Sequence, residues 1–131
     1  MKYQAPNQRL ARTNEYTIII NRDARTLTLI KNGAAIRTYS VAVGKPATPT
    51  PLGNFSIIEK RVNPGGAFGA RWMRFYGGNG IHGTNNPSSI GKAVSHGCVR
   101  MYNRDVIELY NKVGYGTPVR VVGTSIRARI Y

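Results

Sequence analysis

Asn32-Gly33 lies between two runs of strand-like sequence, and few dipeptides restrict a chain more. Before it, Thr26-Leu27-Thr28-Leu29 alternates polar and apolar residues, as a half-buried strand does. After it, residues 36–43 place Tyr39, Val41 and Val43 on one face. A two-residue type I′ turn needs positive φ at both centres, which Asn and Gly tolerate. The segment is therefore a hairpin, and the first half of the chain is committed to antiparallel pairing. Short runs of similar character recur at residues 16–20, 55–59, 71–76, 80–82, 98–101 and 117–122. One segment alone has helical spacing: Asn103 reads as the N-cap of a helix running through Val113. Val106, Ile107, Tyr110 and Val113 form its expected buried stripe, and Gly114 its stop. The expected fold class is mainly β, with mixed or antiparallel sheets and one main helix after the only cysteine.

The connections differ in stiffness. Residues 44–53 hold Pro46, Pro49 and Pro51, which fix φ and remove backbone donors, so this stretch reads as an ordered, stiff loop. Residues 62–70 are Gly-rich and expected to be flexible, and residues 83–94 to be loop with one helical turn near 88–91. Residues 1–15 are polar and basic and read as an N-terminal arm. Residues 16–131 then form one domain with its core at 16–122, without repeat or linker. No apolar run approaches the ~20 residues of a membrane-spanning helix. The first residues lack the apolar stretch of a secretory signal.

An apolar fraction of 41% excludes a disordered chain. The formal net charge of +14, from 19 basic and 5 acidic residues, favours polyanionic partners such as nucleic acid, anionic lipid or acidic wall polymers. The charge is scattered from Lys2 to Arg129, and no zinc-finger or RNA-binding signature accompanies it, so nucleic acid is not the expected partner. A single cysteine excludes an internal disulfide and a two-thiol redox cycle within one chain.

That cysteine, Cys98, sits in Ser95-His96-Gly97-Cys98-Val99-Arg100, and the only other histidine, His82, lies just upstream in Gly80-Ile81-His82-Gly83-Thr84. A thiol nucleophile needs a partner to take its proton, and this window holds both imidazoles of the chain. Gly97 leaves room beside the sulfur, so the N–H groups of Gly97 and Cys98 can face a developing oxyanion. In an extended segment His96 and Cys98 share a face, which makes His96 the candidate base; the alternative is local packing. Asp105 and Glu108 lie beyond the segment, so a backbone carbonyl or the Ser95 hydroxyl would orient the imidazole. His82 can bind substrate, help form the oxyanion site, or hold the loop after it. Arg100 can clamp a substrate carboxylate or pin the loop, and would favour the thiolate. Zinc held by the two histidines and the cysteine is the rival reading, weakened by the lack of any CxxC or HxxxH spacing.

His82-Gly83 followed by Ser95-His96-Gly97-Cys98-Val99-Arg100-Met101 resembles the active-site signature of the L,D-transpeptidase catalytic domain family, the YkuD type. Residues 27–33 resemble the family's early hairpin. Gly44-Lys45, Thr48-Pro49-Thr50-Pro51-Leu52-Gly53-Asn54-Phe55 and Gly80-Ile81-His82-Gly83-Thr84 resemble its further segments, so the likeness covers residues 16–122. The resemblance implies a β-sandwich-like domain that works without metal or other cofactor. It implies Cys98 as nucleophile and His96 as base, with His82, Gly83, Ser95, Gly97 and Arg100 lining or supporting the site. The implied partners are peptidoglycan stem peptides. The implied reaction is acyl transfer through a Cys98 thioester, with release of D-alanine and formation of a 3–3 cross-link. Water or a free D-amino acid as acceptor, or a catalytically silent wall-binding domain, are the alternatives. The implied location is the cell wall or another extracytoplasmic site, spores included.

Overall fold

A computed structural model describes residues 15–123; the N-terminal arm expected from sequence, its last residue excepted, lies outside the described residues. The strands are β1 (Tyr16–Asn21), β2 (Thr26–Lys31), β3 (Ala34–Ser40), β4 (Val43–Gly44), β5 (Gly53–Ser56), β6 (Glu59–Val62), β7 (Arg71–Tyr76), β8 (Asn79–His82), β9 (Ala93–Ser95), β10 (Val99–Arg100) and β11 (Pro118–Val122). Among the described residues one α-helix, α1 (Asn103–Lys112), follows the cysteine. Five strands form a sheet in the order β3-β2-β1-β11-β5, four form a second in the order β10-β8-β7-β6, and β4 pairs with β9. Asn32 and Gly33 have φ of 49° and 86°, and Lys31 pairs with Ala34 across them, as the type I′ hairpin requires.

The core lies between the two sheets and α1. The larger sheet contributes Ile18, Ile20, Leu27, Leu29, Val119 and Val121. The smaller contributes Met73, Phe75, Ile81 and Val99, and the helix Val106, Leu109 and Val113. This is the sandwich-like, mainly β architecture expected. Sheet pairing is mixed, since β1 and β11 run parallel while β11 and β5 run antiparallel.

Several local readings are corrected. The run at 55–59 is not one strand. Ile57 donates its N–H to Thr117 O and Ile58 to Arg74 O, so consecutive residues bond to different sheets and the chain crosses between layers at a buried Ile57. The Gly-rich stretch 62–70 is an ordered β6–β7 connection, closed by Asn63 N–H to Ala70 O and Gly65 N–H to Gly69 O around a 3-10 turn at Gly66–Phe68. The helix buries Asp105, Val106 and Leu109; Tyr110 is only half-buried and carries Lys60 and Arg71 over its ring. Asn103 is the first helical residue, and its carboxamide does not cap. Its Oδ1 accepts the N–H groups of Ala70 and Thr84, and its Nδ2 donates to Thr84 O. One side chain thus ties α1 to the end of the β6–β7 connection and to the chain just after β8.

Candidate active site

The register of the smaller sheet builds the site. Directly opposed residues on neighbouring strands point to the same face. Arg61 opposes Trp72, Trp72 opposes His82, and His82 opposes Arg100, which makes one row across β6, β7, β8 and β10. Glu59, Arg74 and Gly80 make the row beside it, with Cys98 at its end just before β10. The opposite face carries Met73, Ile81 and Val99, all fully buried in the core. A cleft of about 330 Å³ opens on the functional face, lined among others by Phe68, Trp72, His82, His96, Cys98 and Arg100.

The Cys98 Sγ is half-buried and held between backbone groups. The Gly80 N–H reaches it at 3.4 Å, and it lies 3.6 Å from Gly78 O. Burial pushes the thiol pKa up; the Gly80 N–H and the Arg100 charge act the other way and do not prevail. The sequence reading expected Arg100 to favour the thiolate, and burial outweighs it. Gly80 has to lack a side chain, because a Cβ there would lie 2.8 Å from the Trp72 ring.

His82 is buried and lies on the face that holds the sulfur. Its Nδ1 donates to Gly83 O at 2.5 Å, which leaves Nε2 as the free acceptor nitrogen. The Trp72 ring stacks on the imidazole at 5.7 Å between centroids and 23° between planes. Phe68, from the β6–β7 connection, stands edge-on to it at 5.0 Å and 87°. Burial pushes the imidazole pKa down to about 4, with the Arg100 charge adding to that direction and the Gly83 carbonyl opposing it. Gly83 also has to be glycine, since the Asn103 carboxamide occupies the space of a Cβ.

His96 also lines the cleft, but it is exposed at the rim. The segment between His96 and Cys98 is not extended: Gly97 has φ of +122°, so the i, i+2 alternation that placed both side chains on one face does not apply. Ser95 does not orient an imidazole. Its Oγ donates to Cys98 O at 2.6 Å and accepts the Gly97 N–H at 3.1 Å, which ties the turn to itself and occupies one of the two expected oxyanion donors. The Cys98 N–H bonds to none of the described residues. Arg100 opposes His82 and faces the cleft. Asp105 and Glu108 are engaged with Arg37, so among the described residues the orienter at an imidazole is a carbonyl, and it acts on His82. Among the described residues no three His, Cys, Asp or Glu side chains come together to hold a metal ion.

Sequence spacing missed Trp72, Phe68 and Asn79 as cleft residues. The signal for Trp72 is the strand register, which places it opposite His82 and is not visible in local pattern.

Comparison with known proteins identifies relatives in sequence and in fold. The L,D-transpeptidase catalytic domain model, YkuD, matches residues 15–121. The YkuD protein of Bacillus subtilis, which carries an L,D-transpeptidase name, is 54% identical over 110 residues, covering 83% of this chain and 67% of its own length. The catalytic domain of the Enterococcus faecium (E. faecium) L,D-transpeptidase superposes with a TM-score of 0.72 at 27% identity, covering 82% of this chain and 97% of that one. The L,D-transpeptidase LdtMt1 in complex with imipenem superposes with a TM-score of 0.72 at 25% identity, covering 83% of this chain and 59% of that one. Fold, cleft and motif together have one reading: the chain belongs to the L,D-transpeptidase catalytic domain family.

Proposed function

We propose that the chain, through a domain with its core at residues 16–122, transfers acyl groups between peptidoglycan stem peptides, with Cys98 as nucleophile and His82 as its proton acceptor. The observation that carries this reading is the pairing of a cleft-facing thiol with a buried imidazole whose Nδ1 is held by the Gly83 carbonyl. Cys98 Sγ attacks the carbonyl joining the third stem residue, a diamino acid, to D-alanine. The S–H proton passes to His82 Nε2, and the S–C bond forms as the carbonyl becomes an oxyanion facing the Cys98 N–H. The C–N bond then breaks, and the same proton leaves on the D-alanine amine. An amine of a second stem peptide attacks the thioester, and the 3–3 cross-link forms with release of the thiol. Arg100, opposite His82, supplies positive charge for a substrate carboxylate. His96 meets the substrate at the rim. The substrate places the work in the cell wall. No helix among the described residues is long and apolar enough to cross a membrane.

Incubation with disaccharide tetrapeptides, followed by mass spectrometry, should show loss of D-alanine and a dimer, and imipenem should leave an adduct on Cys98. Cys98→Ala should abolish both while preserving the fold. D-alanine loss without dimer would make the chain a carboxypeptidase, and exchange with added D-amino acid would make that the acceptor. No turnover and no adduct in folded protein would leave a wall-binding domain. The base is assigned by comparing His82→Gln with His96→Gln. The first should lose on the order of 10² or more of the acylation rate, in the range of general-base contributions, and the second far less. The reverse order would return the role to His96.

A further inference from the structure

Glu59 stands outside the thiol chemistry, on the far side of Trp72 from His82. Its Oε1 accepts the Trp72 Nε1–H at 3.1 Å and the Arg74 Nε–H at 2.7 Å, while Oε2 accepts the Arg61 Nε–H at 2.8 Å. Two guanidinium groups would satisfy a surface carboxylate without help. The indole is the partner that needs a reason. Trp72 lies flat against the empty space over Gly80 and stacks on His82, with Phe68 edge-on to it at 5.2 Å. Packing settles which face the indole presents, and its one polar handle settles its tilt.

The imidazole has a complementary need. Its single hydrogen bond, from Nδ1 to Gly83 O, selects the tautomer but permits rotation of the ring about that contact. The Trp72 face and the Phe68 edge limit that rotation, and of the two only the stacked face is parallel to the ring plane. We propose that Glu59 is a positioning residue of this site: by holding the Trp72 indole N–H it fixes the surface against which His82 lies, and so sets the plane in which Nε2 accepts the proton. The inference rests on the reading of His82 as proton acceptor. The handle is constant with pH, because Arg74 first, then Trp72 and Arg61, hold the Glu59 carboxyl down to about 2.

Trp72 is the only tryptophan of the chain, so intrinsic fluorescence reports on this ring alone. The test measures imipenem acylation of Cys98 in full-length protein, separating the maximal rate from the half-saturating concentration. Glu59→Ala should lower the maximal rate about tenfold or more, inside the ~10²-fold that a misplacement of about 1 Å costs. The half-saturating concentration should stay within about twofold. Emission should shift as the indole is released. Glu59→Gln, which keeps an oxygen for the indole N–H, should recover most of the rate. Trp72→Phe keeps an aromatic ring and removes the N–H, so it should reproduce the loss, and the double variant should lose no more. A folded Glu59→Ala with shifted emission and an unchanged rate overturns the proposal. So does a loss confined to half-saturation, or losses that multiply in the double variant. If Glu59→Ala does not fold, Trp72→Phe decides alone, and an unchanged rate there overturns the proposal. His82→Gln separates the two layers: wild-type acylation in that variant removes the His82 reading itself, whatever Glu59 does.

Discussion

In the proposed reaction Cys98 and His82 exchange a proton, and burial shifts the pKa of each toward its neutral form. The Cys98 thiol is pushed up and the His82 imidazole is pushed down to about 4. Both directions favour the neutral groups, so in the proposed reaction the thiol proton moves as the carbonyl is attacked. Two consequences are measurable. The acid limb of the acylation rate should fall near pH 4, well below the ~6.5 of an ordinary histidine. A limb at ~6.5 would point to an exposed imidazole, and His96 is the exposed one. Stability should also depend on pH. Between about 4 and about 6.5 the unfolded chain carries a proton on residue 82 that the folded chain lacks, so stability rises with pH through that window and is lost as pH falls. The full loss below the window is roughly 3 kcal/mol. Urea unfolding at pH 4.5 and pH 7 should show it, and His82→Gln should flatten that difference. An equal slope in both proteins would assign the pH dependence to other groups.

Between elements, one residue ties the site to its frame. Asn103 at the start of α1 bonds the backbone at Ala70, which ends the β6–β7 connection carrying Phe68, and at Thr84, which follows the carbonyl holding His82. Asn103→Ala should cost roughly 1–3 kcal/mol by leaving those N–H groups unpaired. It should also slow imipenem acylation, because both supports of the imidazole loosen together. A lowered melting temperature with an unchanged rate in the folded protein would confine Asn103 to stability. This is also the scale at which sequence reading divides. The Asn32-Gly33 hairpin was legible because its chemistry is complete within two residues. The helix was legible from its spacing, and the thiol window from residue types too scarce to overlook. The split at Ile57 was not, because it depends on which sheet each neighbouring amide meets. The parallel pairing of β1 with β11 joins opposite ends of the domain and leaves no local mark. The same limit separates the two histidines. Spacing favours His96 on the assumption of an extended chain, whereas the positive φ of Gly97 and the β8–β10 register bring His82 to the face of Cys98.

For the whole molecule the decisive quantity is the charge left over after internal pairing. Of the 5 acidic residues, Glu15 meets Lys31, Glu59 meets Arg61 and Arg74, and Asp105 and Glu108 meet Arg37. Asp23 also has a partner. The acids are thus engaged by basic neighbours or local groups, and 5 acidic residues leave a large excess among the 19 basic ones. The field of such a cationic surface raises the local concentration of a polyanion, and electrostatic retention on an anionic wall polymer is the outcome to test. Such retention has a signature that stereospecific binding of a stem peptide in the cleft lacks. At 0.1 M salt the screening length is about 10 Å and the scattered charges act together, whereas at 1 M it is about 3 Å and they do not. Binding of Cys98→Ala protein to isolated sacculi should therefore fall steeply as salt is raised to 1 M. Imipenem acylation of the wild-type protein, which in the proposed mechanism depends on Cys98 and His82 inside the cleft, should change little over the same range. Sacculus binding that persists unchanged at 1 M would assign retention to specific contacts in the cleft and leave the charge without a part in it.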